Sequence, residues 1–164
     1  MTKLIRLFAD ICLFRKGPQD VPASRLLLVL ATIGYLLSGW ILLGLESGWL
    51  NGAIQVAVAG GLLLVFVWTT LTSADKVHRL TQTLTALVGT DSLLTATAIV
   101  CFALTPALPD LRKIIIDLLT LWDLAVIAHI LRHALSQGIA MGVGLAVLYF
   151  LAVRHLLALL MGAS

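Results

Sequence analysis

Charged residues are scarce in this chain of 164 residues. Asp, Glu, Lys and Arg together make up 12% of it, whereas hydrophobic residues make up 60%. A typical soluble domain carries about twice that share of charged residues, so the composition excludes an ordinary water-soluble protein. The mean hydropathy of +1.07 agrees with a chain that places much of its surface in lipid. The length suits one compact unit.

Cysteine is also scarce. The two cysteines, Cys12 and Cys101, lie far apart in hydrophobic segments, which excludes a disulfide framework and a cysteine-rich zinc site. The net charge is only +3, and the basic residues cluster beside hydrophobic segments. We interpret them as signals of membrane topology rather than as a nucleic-acid surface, and we expect no nucleic-acid partner.

Catalytic motifs are absent as well. The sequence contains no GxSxG, HExxH or Walker-type motif, and no arrangement of paired carboxylates is evident. We therefore expect a protein that is not an enzyme and that uses no cofactor and no metal. An enzyme acting on lipid is a third hypothesis behind the two given below.

The N-terminal segment differs from the rest of the chain. Residues 1–14 place apolar side chains at helical spacing with charged residues between them, which predicts an amphipathic helix on the cytoplasmic membrane surface. Gly and Pro then mark residues 15–24 as a linker. The sequence therefore predicts an amphipathic interfacial helix with its linker over residues 1–23 and a transmembrane helical bundle over residues 24–164.

Hydrophobic stretches long enough to span a bilayer follow the linker, at residues 26–45, 53–71, 92–108, 114–131 and 139–160. The intervening residues 72–91 are expected to contain an interfacial helix that ends at Gly89. The predicted fold is all-α, a polytopic membrane helix bundle with about five transmembrane helices plus the N-terminal interfacial helix. Four spans are the alternative, if the third is only interfacial. The flanking Lys and Arg residues predict a cytoplasmic N-terminus.

The most unusual stretch runs from Asp117 to His133. It is apolar enough to span the bilayer, yet it carries two carboxylates, two histidines and an arginine. On a helix, Asp117 and Asp123 fall on one side, whereas His129, Arg132 and His133 fall on nearly the opposite side. Two separate clusters fit two packing contacts better than they fit one continuous ion path.

Asp123 lies closest to the bilayer midplane, where an ionised carboxylate costs about 2.5–3.5 kcal/mol. It is either a proton- or cation-binding group or a partner in an interhelical hydrogen bond. The second interpretation is favoured, because no second mid-membrane acid is evident. His129 and His133 stand four residues apart, a spacing that two metal ligands can use, but no third ligand is evident. An interfacial helix end is the preferred interpretation of the two histidines.

Counting the rise of about 1.5 Å per residue from the turn between the last two spans predicts two ion pairs. Arg154 reaches the depth of Asp117, and Asp91, at the start of the third span, lies at the depth of Arg132 and His133. Losing one partner of a buried pair costs about 3–5 kcal/mol, so Asp117→Asn should lower the yield sharply. The predicted intramembrane polar contacts are thus Asp91, Asp117, Asp123, His129, Arg132, His133 and Arg154.

Three segments together resemble the bacterial branch of the Yip1 family of small five-span membrane proteins. They are KGPQDVPAS before the first span, QTLTALVGTD before the third and WDLAVIAHILRHAL at the end of the fourth. The resemblance implies an α-helical integral protein of a bacterial inner membrane and supplies no catalytic residue. Eukaryotic relatives are linked to Rab GTPases and vesicle traffic, but their Asp-Leu-Tyr-Gly-Pro type motif is absent here, so that role is not carried over.

Two functional hypotheses follow. The first is a non-catalytic scaffold or accessory subunit that sits in the lipid bilayer and binds another integral membrane protein or itself. It rests on small-residue helix faces such as Ala53, Ala57 and Gly61 and on the amphipathic N-terminal helix. The alternative is a small proton- or ion-coupled transporter or channel working as an oligomer, with Asp123 as its coupling carboxylate.

Overall fold

The computed structural model describes residues 2–105 and 108–162. Its six α-helices, with short connections between them, are α1 (Thr2–Cys12), α2 (Arg25–Ser47), α3 (Trp49–Ser73), α4 (Leu80–Leu104), α5 (Pro109–Leu135) and α6 (Ile139–Met161). Helices α2 to α6 are each long and apolar enough to cross a membrane. The predicted all-α polytopic bundle with five spans is confirmed, and the protein is an integral membrane protein.

The helix ends follow local chemistry. The Ser24 hydroxyl accepts a hydrogen bond from the Leu27 N–H at the start of α2, as expected of a capping serine. Gly48 joins α2 to α3 with a φ of +91°, a conformation that favours glycine. Pro109 occupies the first turn of α5, where proline is favoured, and Ser136, at a φ of +53°, follows the last residue of this helix. The tight turn predicted between the last two spans is therefore present.

Helix α4 differs from its prediction. The sequence predicted an interfacial helix ending at Gly89 and a new span from residue 92, but one helix runs unbroken from Leu80 to Leu104. Gly89 lies inside it, where a Cβ atom would come within 2.4 Å of the Phe8 ring of α1. The glycine therefore serves the close approach of α1 and does not end the helix. The span was also predicted to reach residue 108, whereas α4 ends at Leu104. Of the predicted span, residues 106–107 lie outside the described residues.

The five spanning helices form a ring. Helix α2 packs against α3 and α4, α5 packs against α4 and α6, and a contact between α3 and α6 closes the ring. The N-terminal ends of α2, α4 and α6 lie at the same end of the bundle as the C-terminal end of α5. We call it the basic end, because Arg25, Lys76, Arg79 and Arg132 lie there.

Helix α1 is amphipathic, as predicted, and it packs against α4 and α5. Its last apolar residues, Ile11 and Cys12, are buried. The chain after α1 is held along α5 by two hydrogen bonds: Trp122 Nε1 donates to the Cys12 carbonyl at 3.1 Å, and His129 Nε2 lies 3.0 Å from the Lys16 carbonyl. The N-terminal segment is thus an integral part of the packed structure.

Candidate functional site

A cavity of about 200 Å³ lies in the middle of the ring, and we call it the central cavity. All five spanning helices contribute to its wall. Its lining residues include two acids, two tyrosines and one threonine, namely Asp91, Asp123, Tyr35, Tyr149 and Thr120. The remaining wall is apolar, so these few polar side chains determine its chemistry.

The two acids reach the cavity from neighbouring helices at matching depth. Asp91 stands 11 residues after the start of α4, and Asp123 stands 12 residues before the end of α5. At about 1.5 Å per residue, both lie about 16–18 Å from the basic end, which is near the middle of a bilayer core about 30 Å thick. A second mid-membrane acid therefore exists, and the sequence-based placement of Asp91 near a membrane surface was wrong.

The hydrogen-bond partners of these acids are few. Asp91 Oδ2 accepts a hydrogen bond from the Thr95 hydroxyl at 3.4 Å, one turn along the same helix. Asp123 Oδ1 is buried and has no hydrogen-bond partner among the described residues. A buried polar atom without a partner is costly and is uncommon in native structures, so Asp123 is the most unusual group in the cavity.

The two tyrosines of the cavity were not predicted from the sequence. Tyr35 is buried against Gly60 of α3, and the Tyr149 hydroxyl donates to the Ala59 carbonyl at 3.4 Å. Each stands 10 residues after the start of its helix, α2 or α6, and therefore about 15 Å deep. Counting depth for polar aromatic residues as well as for charged ones would have placed them with Asp123.

The predicted pair of Asp117 with Arg154 is wrong. Both side chains are exposed on the outside of the bundle, and no ion pair joins them among the described contacts. The Arg154 guanidinium instead lies 5.7 Å from the centre of the Phe150 ring. Similar depth did not ensure that the two side chains point toward each other, because the rotation of each helix was unknown.

The predicted pair of Asp91 with Arg132 and His133 is also wrong. Because α4 begins 12 residues earlier than the predicted third span, Asp91 lies about 18 Å deeper than expected. Arg132 and His133 stay at the basic end, where both line a separate polar pocket. The described residues form no ion pair with either of them.

The two histidines of α5 are together, as their spacing implies. The centres of the His129 and His133 rings lie 4.6 Å apart, and Phe14 lies edge-on to His129 at 5.3 Å. No group of three or more His, Cys, Asp or Glu residues forms a metal site within the part of the chain that the structure describes. Here the histidines pack against the segment that follows α1, at the end of α5 as predicted.

Cys12 provides a probe of the packing of α1. Burial raises the pKa of its thiol from the ordinary value of 9.0 to about 11, which lowers the thiolate fraction at pH 8 about a hundredfold. In a Cys101→Ala background, we expect a water-soluble maleimide to label Cys12 about a hundredfold more slowly in the native protein than after unfolding in SDS. Labelling should accelerate as the pH rises toward 11. Equal rates before and after unfolding would show that α1 does not stay packed.

Comparisons with protein-family models, with curated proteins and with solved structures found no match to this chain. The resemblance to the Yip1 family therefore stays a prediction.

Proposed function

We propose that this integral membrane protein is a small proton- or ion-coupled transporter or channel in which Asp91 and Asp123 together hold a proton or a small cation. The observation that carries the proposal is the meeting of two acids from α4 and α5 in one mid-membrane cavity walled by all five spanning helices. This was the alternative hypothesis from the sequence, and the second acid now favours it.

The electrostatics of the central cavity support this choice. One ionised carboxylate near the bilayer centre costs about 2.5–3.5 kcal/mol, and a second one in the same cavity adds repulsion between like charges. The described lining residues include no Lys or Arg that would neutralise them. A proton or a small cation bound between the two acids removes most of this cost, so the pair has a physical reason to bind one.

Two features that suggested a scaffold are used within the chain. Gly142 approaches the backbone of α5, so this small residue serves a contact between helices of the same bundle. The amphipathic helix α1 buries Ile11 against the protein. These two features therefore do not require an external partner, whereas Ala57 and Gly61 of the predicted small-residue face on α3 stay exposed. The support for the first hypothesis is reduced to that face.

Proton binding is tested by infrared difference spectroscopy of the purified protein between two pH values. We expect a band from a protonated carboxyl group, which Asp123→Asn and Asp91→Asn should each remove or shift. Asp117→Asn is the matched control, because Asp117 is an exposed acid on the same helix. A band that persists unchanged in the double variant Asp91→Asn/Asp123→Asn would contradict the proposal.

Transport is tested separately in vesicles that contain a pH-sensitive dye. When a Na⁺ or K⁺ gradient is imposed, we expect the unmodified protein to change the internal pH and the double variant to leave it unchanged. Circular dichroism of the variants excludes unfolding as the cause. If the infrared band depends on both acids but no gradient moves protons, the pair binds protons without transport, and the transporter hypothesis fails.

A non-catalytic accessory subunit is the second candidate. An apolar groove of about 490 Å³ runs between α2, α3 and α4. Ala57 and Gly61, which belong to the predicted small-residue face, line this groove and are exposed. Extraction with native lipids followed by mass spectrometry tests this candidate. A stoichiometric membrane-protein partner would favour it over the transporter, whereas a lone chain or a homo-oligomer would count against it.

A further inference from the structure

A second polar cavity, independent of the central one, opens at the basic end. It has a volume of about 610 Å³ and lies between the turn at Pro18–Asp20, the start of α4 and the end of α5. Its lining residues are two arginines, two histidines, three glutamines and one serine, which are Arg79, Arg132, His78, His133, Gln19, Gln82, Gln137 and Ser136. We call it the basic-end pocket.

The positive charge of this pocket is not neutralised. Neither Arg79 nor Arg132 forms an ion pair with any described acid, and no acid is among the residues of the wall. Asp20, in the turn beside the pocket, does not line the wall, and the Gly17 N–H donates to its carboxylate at 2.9 Å. Arginine side chains match the geometry of phosphate oxygens well, so the pocket suits a phosphate group.

The two arginines differ in how they are held. Arg79 Nη1 donates to the Ala134 carbonyl at 3.1 Å and to the Ser136 hydroxyl at 3.0 Å, so it is fixed to the end of α5. Arg132 Nε is buried and has no partner among the described residues. Arg132 is therefore the arginine whose donors are least used by the protein itself.

Arg132 also joins the basic-end pocket to an apolar cavity. This second cavity, of about 310 Å³, is lined by Arg132, His129 and mainly apolar residues that include Phe14, Ala125 and Val143. Ala125 stands 10 residues before the end of α5, so the apolar cavity extends about 15 Å toward the bilayer centre. A polar pocket at the membrane surface beside an apolar cavity at acyl-chain depth matches the two parts of a phospholipid.

We infer that the protein binds an anionic phospholipid, with the phosphate group in the basic-end pocket at Arg132 and Arg79 and part of an acyl chain in the adjoining apolar cavity. Basic pockets between transmembrane helices hold anionic headgroups, and each Lys or Arg near an anionic membrane surface strengthens binding about fivefold. This site does not depend on the proposed function of the central cavity.

Native mass spectrometry of the intact protein, titrated with phosphatidylglycerol or with phosphatidylcholine, tests the inference. We expect phosphatidylglycerol to bind about 25-fold more tightly, because only its headgroup carries a net negative charge and each of the two arginines strengthens its binding about fivefold. Equal affinity for the two lipids would overturn the inference without the need for any variant. Displacement of phosphatidylglycerol by inorganic phosphate alone would show a free-phosphate site and would overturn the lipid assignment.

Variants locate the site. Arg132→Gln should weaken phosphatidylglycerol binding about fivefold and leave phosphatidylcholine binding unchanged. Arg112→Gln is the matched control, because it removes the same charge at the other end of α5, where the guanidinium lies over the Phe102 ring. A similar loss in both variants would reveal a general effect of net charge and would overturn the assignment to the basic-end pocket.

Discussion

Replacing Gly142 with alanine is expected to lower the free energy of unfolding by about 2 kcal/mol. A Cβ atom at this position would lie 2.4 Å from the Ala128 carbonyl oxygen and 2.9 Å from Arg132 Cβ. Because the Ala128 oxygen belongs to the backbone, the clash is relieved only if α6 moves away from α5. Overpacking costs about 1–3 kcal/mol, and a clash with a backbone atom belongs at the upper end of this range. The higher helix propensity of alanine offsets about 1 kcal/mol, which leaves about 2 kcal/mol.

Gly144→Ala is the matched control for this prediction. Gly144 lies on the same helix two residues away, and an added Cβ atom would meet nothing within 4 Å. This variant should keep its stability or gain up to about 1 kcal/mol from helix propensity. Unfolding in SDS-containing mixed micelles, followed by circular dichroism, measures both variants. If the two glycine variants were equally stable, α5 and α6 would not pack as closely as the structure has them.

The packing of α5 and α6 was well predicted from the sequence. The tight turn ahead of Ile139 requires the two helices to be antiparallel neighbours, and the sequence predicts a contact face of Gly138, Gly142 and Ala146. Gly142 and Ala146 are buried, and Gly142 meets the α5 backbone. Gly138 is exposed and precedes α6, so it takes no part in this contact. Local turn chemistry and residue size were sufficient here, because the two elements are adjacent in the chain.

The start of α4 was not predictable in the same way. Leu80, Leu84, Leu87 and Val88 suggested one apolar face of an interfacial helix, and Gly89 suggested its end. In the structure, all residues from 83 to 90 are buried, because α1 covers this part of α4. From the neighbouring residues alone, a glycine that leaves room for a distant side chain, as Gly89 does for the Phe8 ring, cannot be distinguished from a glycine that ends a helix.

The wrong start predicted for α4 also determined how the residues of the central cavity were interpreted from the sequence. Asp123 was singled out from the sequence because a carboxylate deep in an apolar helix is unusual whatever surrounds it, and the structure places it in the wall of the central cavity. Its companion Asp91 was assigned to a membrane surface, and the preference for a structural role of Asp123 followed from that placement. Once α4 is seen to begin at Leu80, the same count of residues places the two acids at one depth.

Replacing Ile11 with alanine should be the most damaging single change in the N-terminal segment. The Ile11 side chain is 0% exposed and belongs to the buried core that includes Leu87 of α4 and Ile130 of α5. Truncation of a fully buried isoleucine to alanine costs about 2–5 kcal/mol through lost contacts and the cavity that remains. We expect the free energy of unfolding in mixed micelles to fall by this amount.

Ile5→Ala is the matched control, since Ile5 lies on α1 but is 57% exposed. Its truncation should change the stability by less than about 0.5 kcal/mol, and the maleimide labelling of Cys12 should stay slow. In Ile11→Ala, labelling of Cys12 should accelerate, because weaker packing of α1 exposes the thiol more often. Equal effects of the two truncations would show that α1 rests on the membrane surface by its apolar residues in general and is not held in a specific site on α4 and α5.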